Sequence, residues 1–145
     1  EIVEKEAVRA LVEADVLTIC SGGGGIPVVA EDGQYVGVEA VNDKDFSARV
    51  LAENVDADRL IILTGVDNIY INYNQPDQKA LEQISVAEAE EYIKEGHFAA
   101  GSMLPKIEAA LDFVKGDDKR KAIITSIENL ENIDKEAGTV ISQKG

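Results

Sequence analysis

Two uninterrupted apolar runs, Leu60-Ile61-Ile62-Leu63-Thr64 and Lys121-Ala122-Ile123-Ile124-Thr125, constrain this chain more than any other feature. Each is short and lacks the alternation of a half-exposed strand, so each predicts a strand buried on both faces. Leu60–Thr64 is the clearest of these. Val16-Leu17-Thr18-Ile19-Cys20 predicts a further short buried strand, and Thr139-Val140-Ile141 a last one. The segments between them are helical in period. Val3, Ala7, Val8, Ala10 and Leu11 mark a helix within Ile2–Ala14, and a second runs from Asp43 to Asn54 with Phe46, Val50 and Leu51 inward. Ser85-Val86-Ala87-Glu88 matches a capping box that starts a helix ending before Gly96. Leu104, Ile107, Leu111 and Val114 share one face of a helix from Met103 to Val114, and a short helix follows the 121–125 strand. Helices alternating with continuous apolar strands predict an α/β layer fold with a largely parallel sheet. Ile26–Ala30 and Gln34–Val38 flank Glu31-Asp32-Gly33 and predict a β-hairpin with an Asp-Gly turn. The stretch from Asn68 to Pro76, with Asn68, Asn72, Asn74 and Pro76, predicts irregular turns.

A chain of 145 residues is the size of one domain, and no repeat, linker or low-complexity tract divides it. Acidic residues outnumber basic ones 28 to 14, a formal charge of −14 that argues against a nucleic-acid partner or an anionic membrane surface. The lone Cys20 leaves no intrachain disulfide to form, and the first residues lack the basic and apolar regions of a signal peptide. The expected setting is the cytoplasm.

Ligands of open α/β sheets sit beyond the carboxyl ends of the strands. Three such ends carry unusual residues here: Ser21-Gly22-Gly23-Gly24-Gly25, Thr64-Gly65-Val66-Asp67, and Thr125-Ser126. The glycine run supports two readings, a nest of backbone N–H groups for an anion or a mobile tight loop. It is neither a dinucleotide fingerprint, since a strand pattern follows it, nor a Walker A loop. Asn42-Asp43-Lys44-Asp45 opens a helix, where acids are favoured as caps but a lysine gains nothing from the helix dipole. Lys44 is therefore either a phosphate ligand positioned by Asp43 or Asp45, or an ordinary solvated lysine. Lys106 poses the same choice in the first turn of its helix, beside free N–H groups. His97 has no metal-ligand spacing around it, and Cys20 reads as core. Tyr70, Tyr73 and Met103 fit either a core or a flat ring, with Tyr73 leaning toward contact because its surroundings are polar.

In order along the chain, Ser21–Val28, Glu39-Ala40-Val41-Asn42-Asp43-Lys44-Asp45, Leu63–Tyr70, Ile71-Asn72-Tyr73-Asn74-Gln75-Pro76 and Gly101-Ser102-Met103-Leu104-Pro105-Lys106 resemble the carboxy-terminal half of carbamate kinases, within the amino-acid kinase family. The resemblance spans nearly the whole chain. It implies a three-layer α/β/α nucleotide domain with a mainly parallel central sheet, and an enzyme that moves a phosphoryl group between ATP and carbamate, in arginine fermentation running toward ATP. By that resemblance Lys44 and Lys106 contact the transferring phosphates, and Asp43 and Asp45 orient them. Thr64, Val66, Asp67 and Tyr70 lie in the nucleotide loop, Tyr73 and Met103 lie near the adenine, and Ser21–Gly25 forms a cleft loop. Mg2+ arrives with the ATP or ADP rather than on direct protein ligands.

The same resemblance implies a missing amino-terminal half, whose removal should expose apolar surface, and a homodimer in the full-length protein. Asn42 stands where the family often has isoleucine, and Gly65 where an acid or small residue is common. Two further readings stay open: another enzyme of the amino-acid kinase family, or an isolated nucleotide-binding domain without activity of its own.

Overall fold

The computed structural model describes residues 1–145, which form two compact units, Glu1–Asp56 and Ala57–Gly145. In the first unit, helix α1 (Lys5–Glu13) precedes a hairpin of β1 (Val28–Glu31) and β2 (Gln34–Gly37), followed by helix α2 (Lys44–Asn54). The hairpin closes with Glu31 opposite Gln34. Its turn residues Asp32 and Gly33 have φ of 48° and 77°, the left-handed pair that matches the twist of two antiparallel strands. Arg9 of α1 donates from Nε to the Asn54 carbonyl at 3.0 Å and pairs with Asp56 at 3.1 Å, tying α1 to the end of α2.

Val16–Cys20 corrects a sequence expectation. The segment takes no regular secondary structure, and Leu17 and Ile19 are each 97% exposed. Its largest apolar side chains are left facing solvent. Val41, 93% exposed, and Ile26, 84% exposed, add to the uncovered apolar area that the resemblance implies.

The second unit holds β3 (Arg59–Thr64), a small hairpin of β4 (Ile69–Ile71) and β5 (Lys79–Leu81), then β6 (Gln83–Ser85), α3 (Val86–Lys94), α4 (Met103–Lys115), β7 (Lys121–Ser126), a 3-10 helix (Glu128–Lys135) and β8 (Thr139–Ser142). Its sheet runs β3-β7-β8-β6, with β3·β7 and β6·β8 parallel and β7·β8 antiparallel, so the α/β class and a mainly parallel sheet hold. Helix α4 packs on β7, β8 and β3, and α3 packs on α4. Phe113, Ile107, Ile123, Ile124 and Ile141 are fully buried and make up the core.

The two diagnostic apolar runs have different fates. Interior strand β7 is buried from Ala122 to Ser126, whereas β3 ends the sheet order and buries Leu60 and Ile62 but leaves Ile61 and Leu63 each 38% exposed. An unbroken apolar run records hydrophobicity on both faces but not the place of a strand in the sheet. The stretch after Asn68 also departs from expectation, because β4 pairs with β5 (Ile69 opposite Leu81) and only the residues between them turn. Asn72 and Asn74 take left-handed φ of 52° and 61°, which asparagine tolerates better than most residues. No helix is long and apolar enough to cross a membrane.

The capping box of α3 forms in full. Ser85 Oγ accepts from the Glu88 N–H at 3.2 Å, while the Glu88 carboxylate accepts from the Ser85 N–H at 2.8 Å and from its hydroxyl at 2.7 Å. Those bonds, the backbone one foremost, hold the Glu88 carboxyl below its ordinary value of 4.5. A lowered folded value stabilises the fold above that ordinary value, and the contribution disappears as pH falls through the folded one. Ser85→Ala is expected to cost about 1 kcal/mol in urea unfolding at neutral pH. The gap between variant and wild type should narrow in acid.

Candidate functional site

The first cluster lies within Glu1–Asp56. Asp43 caps α2, its Oδ1 accepting from the N–H groups of Asp45 at 2.7 Å and Phe46 at 3.2 Å. Two hydrogen bonds to the N-cap side chain fix the first turn of the helix, which begins at Lys44. Asp45 is buried, with a side chain 9% exposed, and its Oδ2 lies 3.7 Å from Lys44 Nζ on a side chain 61% exposed. The geometry is a fixed acid beside a reachable ammonium group.

The glycine run docks on this helix start. Gly24 is buried with φ of 123°, and its carbonyl accepts from Ser47 Oγ at 2.8 Å. A Cβ at Gly24 would fall 2.3 Å from the Asn42 carbonyl oxygen and 3.4 Å from the Lys44 nitrogen. Of the two readings of the run, Gly24 therefore serves close backbone contact with the Asn42–Lys44 segment. Ser21, with φ of 63°, Gly22 and Gly25 also take left-handed backbone, while Gly23 meets neither that requirement nor any neighbour. A cleft of about 880 Å3 opens beside the loop, lined by Cys20, Ser21, Gly24, Asp43 and Phe46 among others. Cys20, expected to end a buried strand, is a half-buried free thiol on this cleft.

The second cluster lies within Ala57–Gly145. Parallel strands β3 and β7 finish in register, Thr64 beside Ser126, and the chain turns out of the sheet through Gly65, Val66 and Asp67. Ser126 Oγ donates to Asp67 Oδ1 at 2.6 Å, and Thr125 Oγ1 donates to the Asp67 carbonyl at 3.2 Å. Tyr70 on β4 and Tyr73 just beyond it hold their rings 5.9 Å apart at 46°, with Tyr73 52% exposed. Thr139, fully buried, accepts from the Ile69 N–H at 2.8 Å and donates to the Leu81 carbonyl, pinning the base of the tyrosine-bearing hairpin.

Met103 and Lys106 share the first turn of α4, both half-buried. The amides there are not free, which corrects the expectation drawn from the sequence. The N–H groups of Ser102, Met103 and Leu104 all donate to the Ala99 carbonyl at 3.0–3.2 Å, a convergence that the 99–102 turn imposes. His97 is held by Glu95 at 3.0 Å and lies edge-on to Tyr92.

Ser47, Thr125, Ser126 and Thr139 do not stand out in the sequence as partners of the site. Thr125-Ser126 is visible as a polar strand end, but its target Asp67 is 59 residues away for Ser126. No local pattern encodes a bond of that span.

A mainly parallel sheet with helices packed on it defines an α/β protein. Within that class the chain belongs to the amino acid kinase family, whose model matches residues 1–126. It is similar to the carbamate kinase of Latilactobacillus sakei, 54% identical over 143 residues, covering 98% of this chain and 46% of that protein. Carbamate kinase 1 of Enterococcus faecium is likewise 54% identical over 145 residues, covering 99% and 46%. Among solved structures, a carbamate kinase from Giardia lamblia bound to AMP-PNP superposes with a TM-score of 0.93 at 42% identity, covering 99% of this chain and 50% of that one. The chain thus spans about half the length of the relatives it matches.

Proposed function

We propose that the protein is a carbamate kinase, or the part of one that binds ATP and ADP. The observation that carries this reading is the identity of 54% to a carbamate kinase along 98% of the chain. In the reaction a carbamate oxygen attacks the γ-phosphorus, the bond from that phosphorus to the bridging oxygen breaks, and ADP leaves with the electron pair. Such a transfer needs alignment and charge neutralisation more than covalent help.

Lys44, reachable and steered by buried Asp45, meets the charge on the transferring group. Lys106, in the first turn of α4, is the second lysine assigned to the phosphates. An ammonium on a flexible stem acts as a mobile point charge, which suits a phosphoryl group that moves. Asp43 acts through the backbone, fixing where Lys44 departs. The 64–67 turn and Tyr70 take the nucleotide, and Tyr73 and Met103 offer flat and pliable apolar surface to its base. No group of three or more His, Cys, Asp or Glu side chains gathers to cage a metal ion. Mg2+ carried on the nucleotide phosphates belongs to the same reading, the usual manner of a reluctantly dehydrated ion.

The uncovered Leu17 and Ile19 support a partner half that completes the sheet and supplies the remaining active-site groups. A homodimer of the complete enzyme, a cytoplasmic setting and a place in arginine breakdown belong to the same reading. The charge of −14 favours no polyanionic partner, nucleic acid or membrane.

Isothermal titration with ADP and Mg2+, on the wild type and on Lys106→Ala, tests the nucleotide assignment. Saturable binding weakened at least about tenfold by the substitution is expected, as for loss of a charged phosphate contact. A coupled assay with ADP and carbamoyl phosphate then tests the reaction, and separate assays with ATP as donor offer carbamate, UMP or acetylglutamate as the acceptor. Turnover of either competitor in preference to carbamate would assign a different enzyme of the family. Nucleotide binding by the complete protein without any turnover would leave a non-catalytic nucleotide-binding protein.

A further inference from the structure

We propose that Ser126 is a positioning residue for nucleotide binding, its hydroxyl locking the Gly65–Asp67 turn in the binding conformation through Asp67. The inference rests on the nucleotide reading above and adds a residue to it. Ser126 is the last residue of β7, 2% exposed, and stands in register with Thr64, the residue from which the turn departs. A serine hydroxyl has one proton to give, and here it goes to Asp67 Oδ1 at 2.6 Å. The oxygen's acceptor side is engaged as well, taking the Asn129 N–H at 3.2 Å from the 3-10 helix. Thr125, fully buried, ties the same residue by its backbone carbonyl at 3.2 Å. Asp67 is therefore gripped at side chain and main chain by consecutive residues of one interior strand.

This arrangement gives Asp67 a different task from a direct ligand contact. One of its carboxylate oxygens is committed to Ser126, so the residue serves as the anchor of the turn. Gly65 and Asp67 are themselves exposed, and an exposed turn left untied would have to be ordered each time a ligand bound. Tying it to β7 in advance removes that cost from binding. The bonds that hold the turn come from Thr125 and Ser126 and not from the proposed phosphate lysines on α2 and α4, so loosening the turn should weaken nucleotide capture while leaving the chemical step nearly intact.

The test is titration with Mg2+-ADP together with steady-state kinetics, on the complete protein that contains these residues. Ser126→Ala is expected to raise the nucleotide Kd and KM about tenfold, the effect of one buried hydrogen bond to a charged group, with kcat within about twofold. Ser126→Cys keeps the volume but donates poorly, and should do the same if the alanine variant folds badly. In an Asp67→Ala background the Ser126→Ala change should add almost nothing, since the two act as one unit. Unchanged Kd in Ser126→Ala and Ser126→Cys would overturn the proposal, as would a loss of kcat without a change in Kd, or strict additivity with Asp67→Ala. A wild type that binds no ADP would defeat the nucleotide reading itself, whereas a wild type that binds and a variant that binds equally well defeat only the role of Ser126.

Discussion

Lys44→Met is expected to lower turnover of the complete enzyme by about 10²–10³-fold, the usual loss when one donor to a developing negative charge is removed. Methionine keeps the length and flexibility of the stem and deletes only the ammonium. The fold should tolerate the change, because the Lys44 side chain is 61% exposed and its contact with Asp45 is a long one, at 3.7 Å. The thermal midpoint and the circular dichroism of α2 should therefore match the wild type. A mutant with near-normal turnover would remove Lys44 from the transferring phosphates and return it to an ordinary surface lysine. A mutant that loses turnover together with its fold would instead make the Lys44–Asp45 contact structural. The KM for nucleotide should move less than kcat, since an interaction made mainly in the transition state lowers kcat and kcat/KM together.

Gly24→Ala should be the most damaging single-atom change in the glycine run. An added Cβ would sit 2.3 Å from the Asn42 carbonyl oxygen, a backbone atom that cannot swing aside, and the residue would also have to hold a φ of 123°. Left-handed strain of this kind costs about 1–3 kcal/mol for a non-glycine residue, and the clash adds to it. The loop must lift away from α2, breaking the Ser47–Gly24 hydrogen bond and releasing the segment that presents Asp43 and Lys44. Urea unfolding should show a loss of at least about 2 kcal/mol, with activity falling even under conditions where the protein remains folded. Gly23→Ala is the matched control: it has open space around the new methyl and no left-handed φ, and should shift stability by less than about 0.5 kcal/mol. Equal effects at the two positions would mean that the run acts by general flexibility and not by the close approach at Gly24.

Lys121–Thr125, the Ser85–Glu88 box and the Asp32-Gly33 turn were all legible along the chain, because each is governed by neighbours within a few residues. Lys44 and Lys106 stood out for a similar reason, as cations at helix starts where the dipole offers them nothing. Val16–Cys20 misled for the opposite reason. Its composition is that of a buried strand, yet burial requires a partner, and Leu17 and Ile19 remain 97% exposed. Asn68–Pro76 misled through its turn residues, which do make a turn but one closed by β4 and β5 across it.

The linear order of residues by itself determined the α/β class, most helix boundaries and the identity of the charged groups at two helix starts. Hydrophobic periodicity, caps and turn chemistry act over a turn or a hairpin, so they can be read locally. Only the tertiary structure decided that β7 and β8 run antiparallel between parallel neighbours, that Gly24 lies against Asn42, and that the Ala99 carbonyl consumes the amides at the head of α4. It alone joined Ser126 to Asp67 and Thr139 to Ile69, contacts 59 and 70 residues apart. A serine or threonine hydroxyl can satisfy many partners, and which one it meets is set by strand register and packing, neither of which leaves a mark on the residues in between.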